Sequence, residues 1–377
     1  MNMSAQNMVL QVESLPELIR SEFRELDRRV RLLLDHNEWL SVKKVLLTGC
    51  GDSYMAGVAA ELTFEEVAAV PTEALNAMQA GRYAAPNFDH MFPRNPLVVG
   101  VSVSGTVART REALLLARKH GALTVAATGN PDSPLAQVAE KVLGCVVPEF
   151  APAPGIRSYR ISLLALNLIA IRIAEIRGRL SQDAANALRE RLRRTADAIE
   201  ATIAAVREPA QRLAEATAKH RHFVFVGDGP NYATALFSAA KLMEAAGRHA
   251  DGQDTEEWAH LQYFVSEDPQ TPTFFISPGG RGHVRAAELL EPARRIGRTI
   301  VAVVPQGDTV IAPGADWVLP VVGDVDEVFS PMVYAVAGEL YSAYLAEALG
   351  EPPFRAFNGV YADGGNTIKT SAVIESL

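Results

Sequence analysis

The stretch Val98-Val99-Gly100-Val101-Ser102-Val103-Ser104-Gly105-Thr106-Val107 constrains the fold more than any other part of the chain. A short β-branched run stops in a cluster of hydroxyls and a glycine, and residues 108–120 then take the apolar spacing of an amphipathic helix. Strand, small-residue loop and helix N-terminus form a geometry that binds anions, because free backbone N–H groups point outward and the helix macrodipole favours negative charge. Ser102, Ser104 and Thr106 add hydroxyl donors at the same place. No lysine follows the glycine, which separates this loop from the nucleoside-triphosphate P-loop and leaves a single phosphate monoester as the better-matched ligand. The plainer alternative is that the serines only cap the helix.

The same grammar recurs along the chain. Lys44-Val45-Leu46-Leu47-Thr48 runs into Gly49-Cys50-Gly51-Asp52-Ser53-Tyr54, a helix follows over residues 56–67, and further strands are expected near 123–128 and 142–147. His222-Phe223-Val224-Phe225-Val226 followed by Gly227-Asp228-Gly229-Pro230-Asn231-Tyr232 parallels the first of these steps, and residues 273–304 parallel residues 97–127. Strands alternating with helices at this spacing predict an α/β chain with two tandem doubly wound parallel-sheet αβα domains related by internal duplication. A length of 377 residues suits two domains. The expected layout is a polar tail and linker helix (1–40), a first domain (41–180), a helical connector (181–219), a second domain (220–349) and a non-globular C-terminal tail (350–377). Ligands in such sheets lie at the carboxyl ends of the strands, which puts the loops around Ser53 and Ser104 in one crevice.

Composition narrows the partners. A formal net charge of −8 argues against nucleic acid or an anionic membrane as the main partner. Two cysteines, Cys50 and Cys145, with no CxxC pair, exclude a disulfide framework and a cysteine-based metal site. Residues 1–8 lack the form of a signal peptide, and the apolar run from Ile161 to Ile176 reads as a buried core helix rather than a membrane span, so a cytoplasmic protein is expected. Glu256, Glu257 and His260 do not have the spacing of a zinc helix, and no metal or other cofactor is expected.

The repeated unit, Gly51-Asp52-Ser53-Tyr54 and the Ser-x-Ser-Gly loop resemble the sugar isomerase (SIS) domain proteins, above all the isomerase half of glucosamine-6-phosphate synthase and its stand-alone deaminase and fructosamine-6-phosphate deglycase relatives. The likeness runs from about Leu15 to Glu375. It implies substrate-loop roles for Gly51, Asp52 and Ser53, phosphate-loop roles for Ser102, Val103, Ser104, Thr106 and Val107, and a site position for Ser158 in Gly155-Ile156-Arg157-Ser158. Lys241-Leu242-Met243-Glu244 resembles the family's Lys-Leu-x-Glu helix, and Glu257-Trp258-Ala259-His260 resembles its Glu-x-x-His. Asn366-Thr367-Ile368-Lys369 is similar to the tail that returns a lysine to the active site. The resemblance also implies a homodimer or tetramer, with active sites at the subunit interface and the histidine supplied across it. Three departures stand out: Val103 replaces the family's glutamine, Val107 its threonine, and His260-Leu261-Gln262 its His-Gly-Pro. These point to another substrate within the superfamily. No amidotransferase half precedes the linker helix, so a glutamine-consuming reaction is not expected.

Proton transfer between adjacent carbons of an open-chain sugar needs a base that reaches both, and a carboxylate partly withdrawn from water suits that task. Glu244, among Leu242, Met243, Ala245 and Ala246, is the candidate, with Lys241 one turn earlier to orient it, although a surface ion pair is the bland alternative. His260, an imidazole that can both give and take a proton, suits ring opening or proton shuttling. Lys369 suits an imine with a keto sugar or charge stabilisation of an enediolate, and is otherwise a solvent-exposed lysine. The expected function is a phosphosugar isomerase-type enzyme acting on an amino or N-substituted sugar 6-phosphate, by isomerisation, deamination or deglycation. A non-catalytic sugar-phosphate-binding regulator is the alternative. A dinucleotide enzyme is disfavoured, because Tyr54 stands where the third glycine of GxGxxG belongs.

Overall fold

The structure, a computed structural model, describes residues 3–90, 92–363 and 369. Two compact units emerge, one built from Leu18–Glu149 with Arg157–Arg193, the other from Phe150–Ile156 and Arg194–Ala362 with the N-terminal segment up to Glu17.

In the first unit the strands β1 (Val45–Gly49), β2 (Thr72–Asn76), β3 (Arg94–Val101), β4 (Ala122–Thr128) and β5 (Lys141–Gly144) form one sheet in the order β2-β1-β3-β4-β5. All its pairings are parallel. β1 and β4 are buried along their whole length, as continuous apolar runs must be when helices cover both faces. Leu46, Val98 and Ala126 pack against Ala113, Leu114, Leu116 and Ala117 of the helix Ala108–Lys119, which accounts for that helix's apolar stripe.

In the second unit β6 (His222–Gly227), β7 (His249–Gln253), β8 (Pro272–Ile276), β9 (Thr299–Pro305) and β10 (Trp317–Val321) are again all parallel, ordered β10-β9-β8-β6-β7. Read from its other edge, the succession matches that of the first sheet. Val224, Val226, Phe275, Ile300 and Ala302 pack against Trp258, Ala286, Leu289 and Leu290 on one side. The helix Pro331–Leu349, buried from Pro331 to Ala346, packs against the helix Pro230–Ala246. Three edge strands, β2, β7 and β10, were given no range in the sequence reading. β7 carries no β-branched residue and β10 contains Pro320, and both are edge strands, where neither feature breaks a ladder.

The polar tail expected at the start is a helix, Ala5–Glu13. Ser4 caps it by accepting from the Asn7 amide, and Met8, Val9 and Val12 are buried. Its polar residues disguised a short apolar face. Residues 181–219 contain a single helix, Gln182–Thr217, that accommodates Pro209. The segment after Gly350 is not a free tail up to Ala362: Arg355, in a left-handed turn over Pro353–Phe357, donates to the carbonyls of Ala245 and Pro352, and a 3₁₀ turn follows at Gly359–Tyr361. Ile156–Ile176 is a core helix as expected, and no described helix is long and apolar enough to cross a membrane.

One acidic residue makes the first unit's stability depend on pH. Burial, reinforced by Glu65, pushes the Glu61 carboxyl in the helix Asp52–Glu66 up to about 7. Its folded value lies above its unfolded one, so the native state holds the extra proton between about 4.5 and 7, and stability falls as pH rises through that window. Glu61→Gln is expected to stabilise the protein by about 1 kcal/mol at pH 8, allowing for solvent screening of a partly exposed carboxyl, and to do almost nothing at pH 4. Urea unfolding at the two pH values checks this. An equal effect at both would contradict it.

Candidate functional site

The chain leaves β1 and β3 in opposite directions along the sheet, so a crevice opens at their carboxyl ends. Both edges of that crevice are built by glycine. A Cβ on Gly49 would fall 2.7 Å from the Ser53 Cβ, and Gly51 adopts φ +56° at the N-cap of the helix Asp52–Glu66. The second unit repeats the turn: Gly229 has φ +53°, and a Cβ on Gly227 would meet the Asn231 carbonyl oxygen at 2.4 Å. Only glycine fits either pair of positions without strain. Asp52 and Ser53 therefore open the helix Asp52–Glu66, which starts four residues earlier than the sequence reading placed it.

At the end of β3 the Ser102 amide donates to the Ala127 carbonyl, continuing the strand pairing, and the residue is buried. Gly105 turns the chain at φ +66°, where a Cβ would fall 2.0 Å from the Ser133 hydroxyl. Ser104 and Thr106 stand exposed on the far side of this turn, their hydroxyl oxygens 2.9 Å apart, and the Thr106 amide donates to the Ser104 hydroxyl. Val107 occupies the N-cap of Ala108–Lys119 and makes no capping hydrogen bond. The first-turn amides are thus not satisfied by their N-cap side chain, against the alternative that the loop exists to cap the helix. Val103 points to solvent while its carbonyl accepts from the Gly129 amide and the Thr128 hydroxyl. Val107 is half-buried.

The sequence reading missed the charges beside this loop. Glu112, 1% exposed, accepts from Arg82 at 3.1 Å and from Arg109 at 2.5 Å, so two guanidinium groups share one buried carboxylate. The Arg109–Glu112 spacing on one helix face was visible in the sequence. Arg82 was not, because it comes from a π-helical turn, Gln79–Ala84, in what read as a loop. The Thr110 hydroxyl donates to the Cys50 sulfur at 3.7 Å, joining the helix Ala108–Lys119 to the loop after β1. Ser158 lies half-buried in the first turn of Ile156–Ile176.

The acid–base candidates belong to the other unit. Lys241 is fully buried on the helix Pro230–Ala246, with its ammonium 4.9 Å from the Phe237 ring centroid and bonded to the Glu244 carboxylate. Glu244 keeps 30% of its side chain exposed. This is no ordinary surface pair: the buried ammonium holds one carboxylate oxygen while part of the group still faces water. His260 is exposed at the end of the short helix Thr255–His260. Asp254 caps that helix by accepting from the Glu256 and Glu257 amides, and Asp228 accepts from both the amide and the hydroxyl of Thr255. Burial holds the Asp228 carboxyl above its ordinary value. Lys369 is exposed, and Asn366, Thr367 and Ile368 lie outside the described residues. Among the described residues, no group of three or more His, Cys, Asp or Glu is arranged to hold a metal ion.

Residues 40–172 match the family model described as SIS domain. The glutamine–fructose-6-phosphate aminotransferase (isomerizing) of Gloeobacter violaceus is 26% identical over 321 residues, which make up 85% of this chain and 52% of that protein. The chain therefore spans about half the length of this relative. Among solved structures, glucosamine-6-phosphate deaminase from Thermotoga maritima matches with a TM-score of 0.69 at 20% identity, covering 92% of this chain and 96% of that one. Tagatose-6-phosphate ketose/aldose isomerase from Escherichia coli matches with a TM-score of 0.72 at 13% identity, covering 100% and 98%. At these identities the structural likeness speaks to the fold.

Proposed function

We propose that the chain, whose residues 40–172 match the SIS domain model, is a phosphosugar isomerase-type enzyme acting on an amino or N-substituted sugar 6-phosphate. The observation that carries this reading is the loop after β3, where exposed Ser104 and Thr106 hydroxyls precede a helix whose N-cap residue makes no capping bond. That arrangement suits a phosphate monoester, and the neighbouring Arg82 and Arg109 favour an anion there. By their printed names the relatives act on sugar 6-phosphates, one of them an amino sugar: one is an isomerizing fructose-6-phosphate aminotransferase, one deaminates glucosamine 6-phosphate, one is a ketose/aldose isomerase of tagatose 6-phosphate.

In the reaction, Glu244 takes the proton from one carbon of the open-chain sugar and returns it to the next through an enediol. Its tie to Lys241 limits its orientation. His260 moves the proton that opens the ring, and Lys369 supplies either an imine to a keto carbon or a positive charge for the enediolate. The active assembly is a homodimer or tetramer of the chain. Deamination, deglycation and isomerisation share the enediol step and differ in what leaves.

The test is turnover of glucosamine 6-phosphate, fructose 6-phosphate and fructosamine 6-phosphates by the purified protein, with Ser104→Ala alongside. Conversion of one of these, with KM raised about 10- to 100-fold in Ser104→Ala and kcat little changed, is expected, as for loss of a hydrogen bond to a charged group. Saturable binding of all of them with no turnover would replace the enzyme with the regulatory alternative.

A further inference from the structure

We infer that Arg298 is the positioning residue for His260, acting through the backbone of the segment that follows it. Arg298 directly precedes β9 and is only 5% exposed. One of its terminal nitrogens, Nη1, donates to the Asp268 carbonyl at 3.0 Å and the Pro269 carbonyl at 3.2 Å. The other, Nη2, donates to the Gln262 carbonyl at 3.1 Å and the Val265 carbonyl at 2.5 Å. A single guanidinium thus gathers four carbonyls from the nine residues after His260. Only a planar fork with several fixed donors spans such a set. The compact ammonium of a lysine does not.

Beside these four bonds the segment has a side-chain bond near its start, from Gln262 Nε2 to the Asp251 carboxylate at 3.2 Å, and the Thr271 hydroxyl donates to the Asp268 carbonyl near its end. Leu261, Phe264 and Val265 are 56%, 73% and 46% exposed, so their burial contributes little. Tyr263 meets the Trp258 ring edge-on, and the Asp268 carboxylate lies 2.9 Å from the His220 ring. At its other end the His260 helix is fixed by Asp228 and Asp254, and in its middle by fully buried Trp258. The helix is therefore pinned at its start by carboxylates and behind its end by a cation. Without Arg298 the exit from the helix loses its fixed direction, and His260 is the last helical residue before that exit.

This inference rests on the reading of His260 as a group of the proposed reaction, and the experiment separates the two. Arg298→Met is expected to lower kcat about 10- to 100-fold with KM for the sugar phosphate nearly unchanged, as misplacement of a reacting group does. Arg298→Lys should recover part of the loss. Combined with His260→Gln, Arg298→Met should add almost nothing, because both act on one group. Effects that multiply in the double variant, or a change in thermal stability with kcat intact, would overturn the proposal. If the parent protein turns over no sugar phosphate, the functional reading fails, and hydrogen exchange decides the positioning role alone. Faster exchange in Arg298→Met confined to residues 260–269 supports it, and unchanged or uniformly faster exchange overturns it.

Discussion

Glu244→Gln is expected to reduce kcat by about 10²- to 10⁴-fold, the usual worth of a positioned acid–base group, while KM for the sugar phosphate stays close to that of the parent. The carboxamide keeps the shape and one oxygen for the Lys241 ammonium but cannot take a proton at any working pH. Phosphate recognition is assigned to hydroxyls and amides on the loop after β3, so affinity should survive the change. Lys241 is fully buried and loses the charge of its partner, so thermal stability has to be measured beside the kinetics, with turnover read well below the transition. A variant that stays folded and keeps more than about a tenth of the parent rate would remove Glu244 from the chemistry.

The second large effect concerns stability rather than turnover. Glu112→Leu is expected to cost about 3–5 kcal/mol, because it deletes the buried carboxylate that two partly buried guanidinium groups, Arg82 and Arg109, share. For a unit of this size that corresponds to a fall of roughly 10 °C in melting temperature. Leucine fills much of the volume, so the loss measures charge rather than a cavity. The same variant should weaken inhibition by inorganic phosphate if the two arginines are held toward the loop by Glu112. A melting temperature within a degree or two of the parent would mean that solvent already screens the cluster.

Where the sequence was legible, the reason is local. Gly49, Gly51 and Gly105 are dictated by the turns they sit in: one needs a missing Cβ, the others a positive φ as well or instead, and no neighbour far away in sequence enters that argument. The β-branched runs of β1, β3, β4, β6, β8 and β9 announced central strands of a parallel sheet for the same reason. β2, β7 and β10 were silent because an edge strand needs neither a two-faced apolar run nor a complete set of donors. Ala5–Glu13 was silent because a stripe of Met8, Val9 and Val12 is too short to show a helical period among Asn and Gln.

The candidate site divides along the same line. Residue type and order were enough to single out Ser102, Ser104 and Thr106, hydroxyls placed just before a helix, whereas Lys241, Glu244 and His260 entered as candidates through the resemblance of their motifs to the SIS family. The sharing of Glu112 by Arg82 and Arg109, the four carbonyls gathered by Arg298, and the contrast between a buried Lys241 and a half-open Glu244 were settled only by the tertiary structure. Each depends on groups brought together from separate elements, or on how much water reaches a side chain. Both are consequences of packing, and a one-dimensional pattern carries no measure of it.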